Sequence, residues 1–410
     1  MKYIILLGDG MADRRRQDLG DKTCLQAAKT PNLDSLATLG QVGMVRTVPQ
    51  GFAPGSDVAN LSVMGYDPRK YYTGRSPLEA ASMGVALGPD DIAYRCNLVT
   101  LKLTGAGASA SGGRRRRAVM EDFSAGHIST QEARSLIEEI DSKLSTEHIR
   151  FYPGVSYRHL MVWKGGKDKI ECTPPHDIQD KDIEDYLPRG EGDTVINGLM
   201  EESYDILTGH PLNKGRVEAG KRPANSIWLW GQGKRPSMPT FREKYGLEGS
   251  VISAVDLTKG LGVYAGFDVV NVPGATGWID TNYVGKAEHA LFALKSKDIV
   301  YLHVEAPDEA GHTGDVKNKI KAIEDFDEFI VGNIIEGMKQ FDEYRILALP
   351  DHPTPLEIRT HSSEPVPFVL YDNKKERSGA PVSYDETIGH RDDAVMFEEG
   401  YKLMDHFLRK

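Results

Sequence analysis

The chain has 410 residues, 40% hydrophobic and 27% charged, an ordinary globular composition with enough length for more than one core. A formal net charge of −10 argues against binding to nucleic acid, and an anionic substrate would need a local concentration of cations. Because no stretch is long enough to span a membrane and no signal peptide or Cys-x-x-Cys motif is found, we expect a cytoplasmic protein without membrane or nucleic-acid partners.

The first predicted element is a buried strand, Tyr3 to Leu7, which is followed by Asp9. Continuous apolar runs are typical of parallel strands covered on both faces. Open α/β sheets bind their ligands beyond the carboxyl ends of such strands, which makes Asp9 a candidate ligand-binding residue. A short helix is predicted next at residues 30–40, with Thr30 as its cap.

A second candidate residue is Ser56, which follows the Gly- and Pro-rich residues 49–55 and precedes a helix predicted at 57–64. One interpretation is that Ser56 only caps this helix. The other is that Ser56 is a nucleophile, since a helix N-terminus favours a bound phosphate and a metal ion would lower the pKa of the hydroxyl. Both interpretations remain open at this point.

The middle of the chain, between about Tyr71 and Gly249, has a different pattern of predicted elements, with short strands, helices and long polar loops. Ser129 to Glu132 has the pattern of a capping box, and residues 156–162 and 226–231 are predicted strands. The run Arg114 to Arg117 fits either a phosphate or partner patch or a solvated loop. This region has the character of an inserted domain.

Alternating strands and helices resume after Ser250, and residues 317–340 are predicted to form an amphipathic helix. The apolar run 298–304 is followed by Asp308 and His312, which one helical turn would point at the same spot. An aspartate and a histidine held in this way suit zinc, manganese or cobalt, although a solvated turn is the alternative. A further strand, 344–350, leads into Asp351 and His352, and His361 follows nine residues later.

The ends of three predicted strands thus carry acidic residues, and parallel strands bring their carboxyl ends to one edge of a sheet. Two metal ions need about six to eight protein ligands. The seven candidates are Asp9, Ser56, Asp308, His312, Asp351, His352 and His361. Each has an alternative role when considered alone, but chance is a poor explanation for the whole set.

At these residues the sequence resembles the cofactor-independent phosphoglycerate mutases, in particular their shorter archaeal-type branch, within the alkaline phosphatase superfamily. The resemblance covers nearly the whole chain. Its most specific parts are Gly8-Asp-Gly-Met-Ala-Asp13, Thr30-Pro-Asn-Leu-Asp34, Ala53-Pro-Gly-Ser-Asp-Val-Ala-Asn60, Tyr72-Thr-Gly-Arg75, Asn225-Ser-Ile-Trp-Leu-Trp-Gly231, Ala306-Pro-Asp-Glu-Ala-Gly-His312 and Pro350-Asp-His352.

The resemblance implies an α/β fold: an alkaline-phosphatase-like core with a mainly parallel sheet flanked by helices, and a smaller inserted α+β domain. Residues 1–70 and 250–410 would form the metal-binding core, and residues 71–249 a substrate-binding lid. One metal would be held by Asp9, Ser56, Asp351 and His352, and the other by Asp308, His312 and His361. The implied cofactors are two divalent ions (Mn²⁺, Zn²⁺, Co²⁺ or Mg²⁺), without bisphosphoglycerate.

The implied reaction interconverts 3-phosphoglycerate and 2-phosphoglycerate, a small phosphorylated substrate, through a phosphoserine on Ser56. A lid that excludes water would keep the enzyme from acting as a phosphatase. A related phosphatase, a homoserine-kinase-like phosphotransferase and a non-catalytic metal-binding module are the alternatives, and a homo-oligomer is left open. The candidate substrate-binding residues are Arg75, His127, Arg158, Asn213, Arg216 and Arg222.

Overall fold

The computed structural model describes residues 1–108, 114–378 and 380–409, without the side chains of 106–108 and 114–116. The chain divides into two compact units. Unit 1 consists of Met1–Tyr72 and Ser237–Lys410, and unit 2 of Thr73–Pro236. Unit 1 is therefore discontinuous in sequence, and unit 2 is one continuous segment within it.

The described residues contain strands in both units. In chain order they are β1 (Lys2–Gly8), β2 (Gln41–Val45), β3 (Ile92–Ala108), β4 (Arg114–Asp122), β5 (Ile149–Val155), β6 (Arg158–Trp163), β7 (Ile170–Glu171), β8 (Arg189–Gly190), β9 (Ser226–Lys234), β10 (Gly249–Ile252), β11 (Asp268–Val269), β12 (Ile299–Val304), β13 (Tyr344–Leu349), β14 (Val366–Asp372) and β15 (Val395–Phe397).

Helices connect most of these strands. They are α1 (Cys24–Ala27), α2 (Pro31–Leu39), α3 (Ser56–Val63), α4 (Pro68–Tyr71), α5 (Ser76–Ser82), α6 (Thr130–Leu144), α7 (Asp193–Gly209), α8 (Pro211–Glu218), α9 (Phe241–Tyr245), α10 (Asp256–Tyr264), α11 (Tyr283–Ala293), α12 (Ala306–Thr313), α13 (Val316–Asp325), α14 (Asn333–Met338) and α15 (Lys402–Leu408).

Unit 1 is built on an eight-stranded sheet with the order β11-β10-β12-β1-β13-β14-β2-β15. The pairs of β1 with β12 and β13 are parallel, as are those of β10 with β11 and β12, whereas β14 runs antiparallel to both of its neighbours. Strands β12 and β13 are buried along their whole length. The mainly parallel sheet with flanking helices confirms the predicted fold class.

The two faces of β1 pack against different helices, because successive side chains of a strand point to opposite faces. Ile4 and Leu6 belong to a core that includes residues of α2, α11, α13 and α14. On the other face Tyr3 packs edge-on against Phe407 of α15. Complete burial of one aliphatic side chain contributes roughly 1.5–3 kcal/mol, so this central strand is anchored strongly from both sides.

The helix predicted at 317–340 is present, but its middle is a π-helical segment, Phe326–Gly332. Within that segment Asp327 accepts hydrogen bonds from the backbone N–H groups of Asn32 and Leu33, at 3.1 and 2.7 Å. Asp327 therefore caps α2. Thr30 occupies the N-cap position but makes no side-chain capping bond, so the prediction that Thr30 caps this helix is wrong.

Unit 2 is built on an antiparallel sheet in the order β4-β3-β6-β5, with β9 pairing β3. Helices α6 and α7 supply buried residues to its core. The predicted capping box is present, because Ser129 accepts from the Glu132 backbone N–H and the Glu132 side chain accepts from Ser129. No helix in the described part of the chain is long and apolar enough to cross a membrane.

Candidate active site

All seven predicted metal ligands belong to unit 1, and they follow or face the carboxyl ends of β1, β12 and β13. Their ligand atoms lie close together, and those of Asp9, Asp308 and His352 are within 4.8 Å of one another. We call Asp9, Ser56, Asp351 and His352 the inner ligand group, and Asp308, His312 and His361 the outer ligand group. The structure thus brings together residues more than three hundred positions apart in sequence.

The inner ligand group is arranged around Nε2 of His352. This atom lies 3.1 Å from Ser56 Oγ, 3.5 Å from Asp9 Oδ1 and 3.4 Å from Asp351 Oδ2. Asp9, Asp351 and His352 are fully buried, and Ser56 is 8% exposed. The four side chains therefore converge on one small polar space at the edge of the sheet.

Ser56 does not cap the helix that it begins. The helix starts at Ser56 itself, and the N-cap residue is Gly55, whose φ of 179° is extended backbone. The hydroxyl of Ser56 lies instead against His352. The interpretation of Ser56 as a capping residue is therefore wrong, and its oxygen faces the inner ligand group.

Asp351 is held by three donors. Its Oδ1 accepts from the backbone N–H groups of Gly10 and His352, at 3.2 and 2.8 Å, and its Oδ2 accepts from Asn60 Nδ2 at 2.9 Å. The Asn60 amide is fixed in turn by the Tyr301 hydroxyl, 2.6 Å away. Sequence reasoning missed both residues, although Asn60 stands four residues after Ser56 and so shares its face of α3.

The outer ligand group is equally compact. His312 Nε2 lies 3.1 Å from Asp308 Oδ2 and 2.9 Å from His361 Nε2, and His361 Nε2 is 3.5 Å from Asp308 Oδ1. His312 Nδ1 donates to the carbonyl oxygen of Arg359 at 3.0 Å. Asp308 is buried, whereas the side chains of His312 and His361 are 34% and 16% exposed.

Thr354 connects the two groups. Its hydroxyl donates a short hydrogen bond to Asp308 Oδ1 and lies 3.3 Å from His352 Nδ1. A hydroxyl has only one proton, so Thr354 must accept from the Nδ1–H of His352. The other ring nitrogen, Nε2, then points its lone pair at the inner ligand group.

Gly10 leaves room for this connection. Its φ is +62°, and a Cβ at this position would stand 2.6 Å from both Asp308 Oδ1 and Thr354 Oγ1. Any side chain here would collide with the bridge between the ligand groups. The glycine that follows Asp9 is therefore required by both its backbone conformation and its neighbours.

The electrostatics of the inner ligand group favour a cation. Burial raises the pKa of Asp9 well above its ordinary value, and the nearby carboxylates of Asp351 and Glu305 raise it further. Burial, with the charge of Asp308, also raises the pKa of Glu305 to about 8. Carboxylates that repel one another away from water are stabilised by a positive ion placed among them.

The outer ligand group is electrostatically different, because it pairs its own charges. Burial would raise the pKa of Asp308, but hydrogen bonds from His312 and His361 outweigh it and hold that pKa well below the ordinary value. The same bond to Asp308 raises the pKa of His312 to about 9. A divalent ion would have to displace this proton before it could bind His312.

The donor atoms fit divalent metals. Atoms that bind one ion at about 2.0–2.2 Å stand about 3–3.5 Å apart, and the contacts within each ligand group fall close to that range. Asp9 Oδ1 is buried without a hydrogen-bond partner among the described residues. Carboxylate and imidazole donors with such an orphaned oxygen indicate that the edge of the sheet binds divalent metal ions.

The candidate substrate-binding residues all lie in unit 2, where their surroundings differ. Asn213 is buried and bonds to the backbone of Leu207 and Ala224. Arg216 is buried as well, and it binds the Glu132 carboxylate at 2.9 Å and two backbone carbonyls. These contacts give both residues a structural role within unit 2, and their part in substrate binding stays a prediction.

The other four members are more accessible. Arg75 is half-buried at the start of α5, and His127, Arg158 and Arg222 are exposed. Arg222 forms an ion pair with Asp122. His127 and Arg158 both approach Tyr157. The ring centroids of His127 and Tyr157 are 6.1 Å apart, and the guanidinium of Arg158 lies 5.4 Å from the Tyr157 ring centroid. The role of these four residues in binding substrate also remains a prediction.

Sequence reasoning missed Arg95, a partly buried arginine whose guanidinium stacks over Trp230 at 4.4 Å and approaches Glu79 at 3.1 Å. Burial lowers its pKa, and the charges of Arg75 and Arg158 lower it further against the effect of Glu79. The charges of Arg75 and Arg158 therefore both act on Arg95. Such a group of arginines is suited to an anion.

The arginine run at 114–117 lies at the start of β4, and the side chains of Arg114 to Arg116 are outside the described part of the chain.

Taken together, an α/β core and a serine placed among acidic and imidazole ligands at a sheet edge are typical of metal-dependent phosphoryl-transfer enzymes. Comparison with known proteins agrees. The sequence model of the family described as 2,3-bisphosphoglycerate-independent phosphoglycerate mutase matches residues 37–213. A Geobacter sulfurreducens protein named as a probable enzyme of this type is 56% identical and covers 100% of both chains.

Two further comparisons extend this result. A Methanosarcina acetivorans protein named as 2,3-bisphosphoglycerate-independent phosphoglycerate mutase is 56% identical and covers 90% of each chain. The solved cofactor-independent phosphoglycerate mutase from Thermoplasma acidophilum is 28% identical, has a TM-score of 0.67, and covers 100% of this chain and 99% of its own. The chain belongs to the 2,3-bisphosphoglycerate-independent phosphoglycerate mutase family, a family of isomerases, which confirms the resemblance predicted from the sequence.

Proposed function

We propose that this enzyme interconverts 3-phosphoglycerate and 2-phosphoglycerate through a phosphoserine on Ser56, with two divalent metal ions and without bisphosphoglycerate. The inner ligand group would hold one ion and the outer ligand group the other. The proposal is supported by the family and by the number of carboxylate and imidazole donors that lie together at the sheet edge. A small phosphorylated substrate follows from the same family membership.

One observation carries the proposal: Ser56 begins a helix, yet its hydroxyl lies 3.1 Å from His352 Nε2 inside the inner ligand group. A serine that only capped its helix would turn its oxygen toward the helix backbone. At this position a phosphoryl group on Oγ meets the free N–H groups and the positive end of the dipole of α3.

The chain's own residues divide the work of the reaction. Ser56 Oγ forms a bond to the phosphoryl group while the bond to the 3-hydroxyl oxygen of the substrate breaks in line, and glycerate takes up the proton. When bound, the ions supply neutralisation of the phosphoryl oxygens and a lowered pKa for the serine hydroxyl. Glycerate then turns, its 2-hydroxyl oxygen takes the phosphoryl group back as the bond to Ser56 Oγ breaks, and the proton of that hydroxyl returns to Ser56.

Retention of glycerate is assigned to unit 2. A phosphoserine open to water would be hydrolysed, so the isomerase must bind glycerate and exclude water between the two transfers. The cluster of Arg75, Arg95 and Arg158 offers guanidiniums for a carboxylate or phosphate. Arg158, whose head is exposed, is the member most readily tested by substitution.

The deciding assay supplies purified enzyme with Mn²⁺ and 3-phosphoglycerate, and no bisphosphoglycerate. Phosphorus NMR follows 2-phosphoglycerate and inorganic phosphate, and labelled free glycerate is added as a trap. We expect 2-phosphoglycerate with little phosphate and little label in the product. Rapid release of phosphate would show a phosphatase, and extensive labelling of the product would show a phosphotransferase that releases its acceptor.

Substitution of Arg158 tests the role of unit 2. We expect Arg158→Met to raise the KM for 3-phosphoglycerate about 10- to 100-fold, because a charge-assisted hydrogen bond is worth roughly 1.5–3 kcal/mol. Arg134→Met, at an exposed arginine on α6, is the matched control. Equal KM values for the two variants would remove Arg158 from the binding site.

A further inference from the structure

His303 is a fully buried histidine beside the inner ligand group that the mechanism above does not use. It lies near the end of β12, and the parallel pairing with β1 sets it opposite Leu7. Asp9 comes two residues after Leu7. The imidazole of His303 reaches Asp9 directly, with Nε2 2.9 Å from Asp9 Oδ2.

The other ring nitrogen of His303 has a partner of its own. Nδ1 lies 3.2 Å from the hydroxyl of Ser253, the residue after β10. Ser253 Oγ already accepts from the backbone N–H of Val255 at 2.9 Å, so its own proton is free to point at the ring. Because Nε2 faces the Asp9 carboxylate, which accepts hydrogen bonds, Nε2 carries the proton and Nδ1 accepts from Ser253.

This chain of bonds fixes the Asp9 carboxylate. Oδ2 is engaged by His303, while Oδ1 has no hydrogen-bond partner among the described residues and lies 3.5 Å from His352 Nε2. The carboxylate is thus prevented from rotating, and one oxygen is presented to the inner ligand group. A carboxylate without this partner could turn either oxygen, or both, toward an ion.

We propose that His303 is a positioning residue, which holds Asp9 so that a single oxygen, Oδ1, is offered to the divalent ion of the inner ligand group. Ser253 acts one step further out, by fixing the tautomer of His303. The inference rests on the proposed function, because it assumes that Asp9 binds an ion. Partners of this kind typically change metal affinity about 10- to 100-fold.

An alternative is that His303 itself binds an ion, since its ring nitrogen, Asp9 and Asp351 lie close enough together to share one. The Glu305 carboxylate, 3.7 Å from His303 Nε2, adds to the negative surroundings. The observed 2.9 Å contact with Asp9 is the length of a hydrogen bond, which favours positioning. Two amide substitutions of different reach distinguish the two roles.

The test compares His303→Gln with His303→Asn. The glutamine amide nitrogen can reach the place of Nε2 and donate to Asp9, whereas the asparagine amide nitrogen reaches only the place of Nδ1. Both side chains are poor ligands for the ion. Mn²⁺ affinity and stoichiometry are measured on chelator-treated protein from the EPR signal of free Mn²⁺, with circular dichroism to verify the fold.

We expect His303→Gln to keep the tighter Mn²⁺ affinity within about threefold of the original protein and His303→Asn to weaken it about 10- to 100-fold. Ser253→Ala should give a smaller loss. Equal losses in the Gln and Asn variants would show that His303 is a ligand, and unchanged affinity in both would show that it has no role. Either result overturns the inference.

A separate variant keeps this inference distinct from the proposed function. Asp9→Asn should abolish the tighter Mn²⁺ site if Asp9 is a ligand. Unchanged binding by Asp9→Asn would overturn the proposed metal site itself, and with it the role of His303. Loss in Asp9→Asn without a difference between His303→Gln and His303→Asn would overturn only the positioning role.

Discussion

The inner and outer ligand groups use the same kinds of side chain but are supported in different ways. In the inner group Asp9, Asp351 and His352 are fully buried; Asp9 and Asp351 are held by residues of β12 and α3, and His352 by the nearby Thr354. In the outer group the two histidines are partly exposed and bond mainly to Asp308 and to each other. We conclude that the inner group is shaped by contacts with the rest of the protein, and that the outer group has fewer such contacts.

The largest expected effect concerns the feature that only the inner group has, the proposed nucleophile Ser56. Ser56→Ala should lower kcat by at least about 10³-fold, because no other group can carry the phosphoryl group between the two positions. Ser62→Ala is the matched control on the same helix, since Ser62 is buried and its hydroxyl has no hydrogen-bond partner among the described residues. An active Ser56→Ala variant with an unchanged circular dichroism spectrum would show that Ser56 is not the nucleophile.

The next prediction separates the two groups by the number of Mn²⁺ ions that remain bound per chain. His361→Gln should lower kcat about 10²-fold or more and leave one Mn²⁺ bound per chain, because the inner group is held without it. Asp351→Asn removes a ligand from the inner group, and we expect it to weaken the tighter site. Equilibrium dialysis of both variants measures this. Loss of the tighter ion in His361→Gln would reverse the order of the two sites.

A smaller effect is expected at the connection between the groups. Thr354→Val keeps the shape of the side chain but removes the hydroxyl that bonds Asp308 and His352. We expect a 10- to 100-fold loss in kcat/KM, and little loss in Thr354→Ser, which keeps the hydroxyl. Steady-state kinetics of the two variants at saturating Mn²⁺ provide the measurement. Equal activity of the Val and Ser variants would mean that the groups act without this link.

The smallest effect is the pH dependence of stability of the metal-free protein. The pKa of His312 is raised from 6.5 to about 9 by its bond to Asp308, so the protonated form stabilises the fold. This stabilisation is complete below pH 6.5 and is lost as the pH rises through about 9. Denaturant unfolding in chelator should therefore show a decline between these pH values that is weaker in His312→Gln. Identical pH profiles of the two proteins would show that the pair of protonated His312 and Asp308 does not stabilise the metal-free fold.

The main framework was predictable because it depends on local patterns. Buried parallel strands are apolar along their length, and the acidic residue after each one marks the edge of the sheet. This reasoning located Asp9, Asp308 and Asp351 together without any structure. The capping box at Ser129 was predicted for the same reason, since its two partners are three residues apart.

The supporting residues could not be predicted, because they act between distant segments. Tyr301 and Asn60 are 241 residues apart in sequence, and His303 lies 294 residues from Asp9. Likewise α2 is capped by Asp327, 295 residues away from Asn32, where the sequence pattern favoured Thr30. Neither propensity nor periodicity contains information about such pairs.

In unit 2 as well, the role of a side chain depends on contacts that the local sequence does not reveal. Asn213 and Arg216 were chosen from the sequence because polar and basic side chains suit a phosphorylated substrate. In the structure their polar atoms bind the backbone and an acidic side chain of their own unit. The partly buried Arg95, by contrast, stands in an apolar β-forming stretch, where nothing in the sequence distinguishes it from a residue at a strand surface.

The central position of β1 in its sheet has a consequence for the newly made chain. This strand is synthesised before both of its neighbours, β12 and β13, which lie about three hundred residues downstream. The loop that must close is long, and an unpaired apolar strand exposed meanwhile is prone to aggregation. The strands of unit 2, which all pair within residues 73–236, can form before then. During synthesis β1 therefore reaches its place in the sheet only after the strands of unit 2 can have paired.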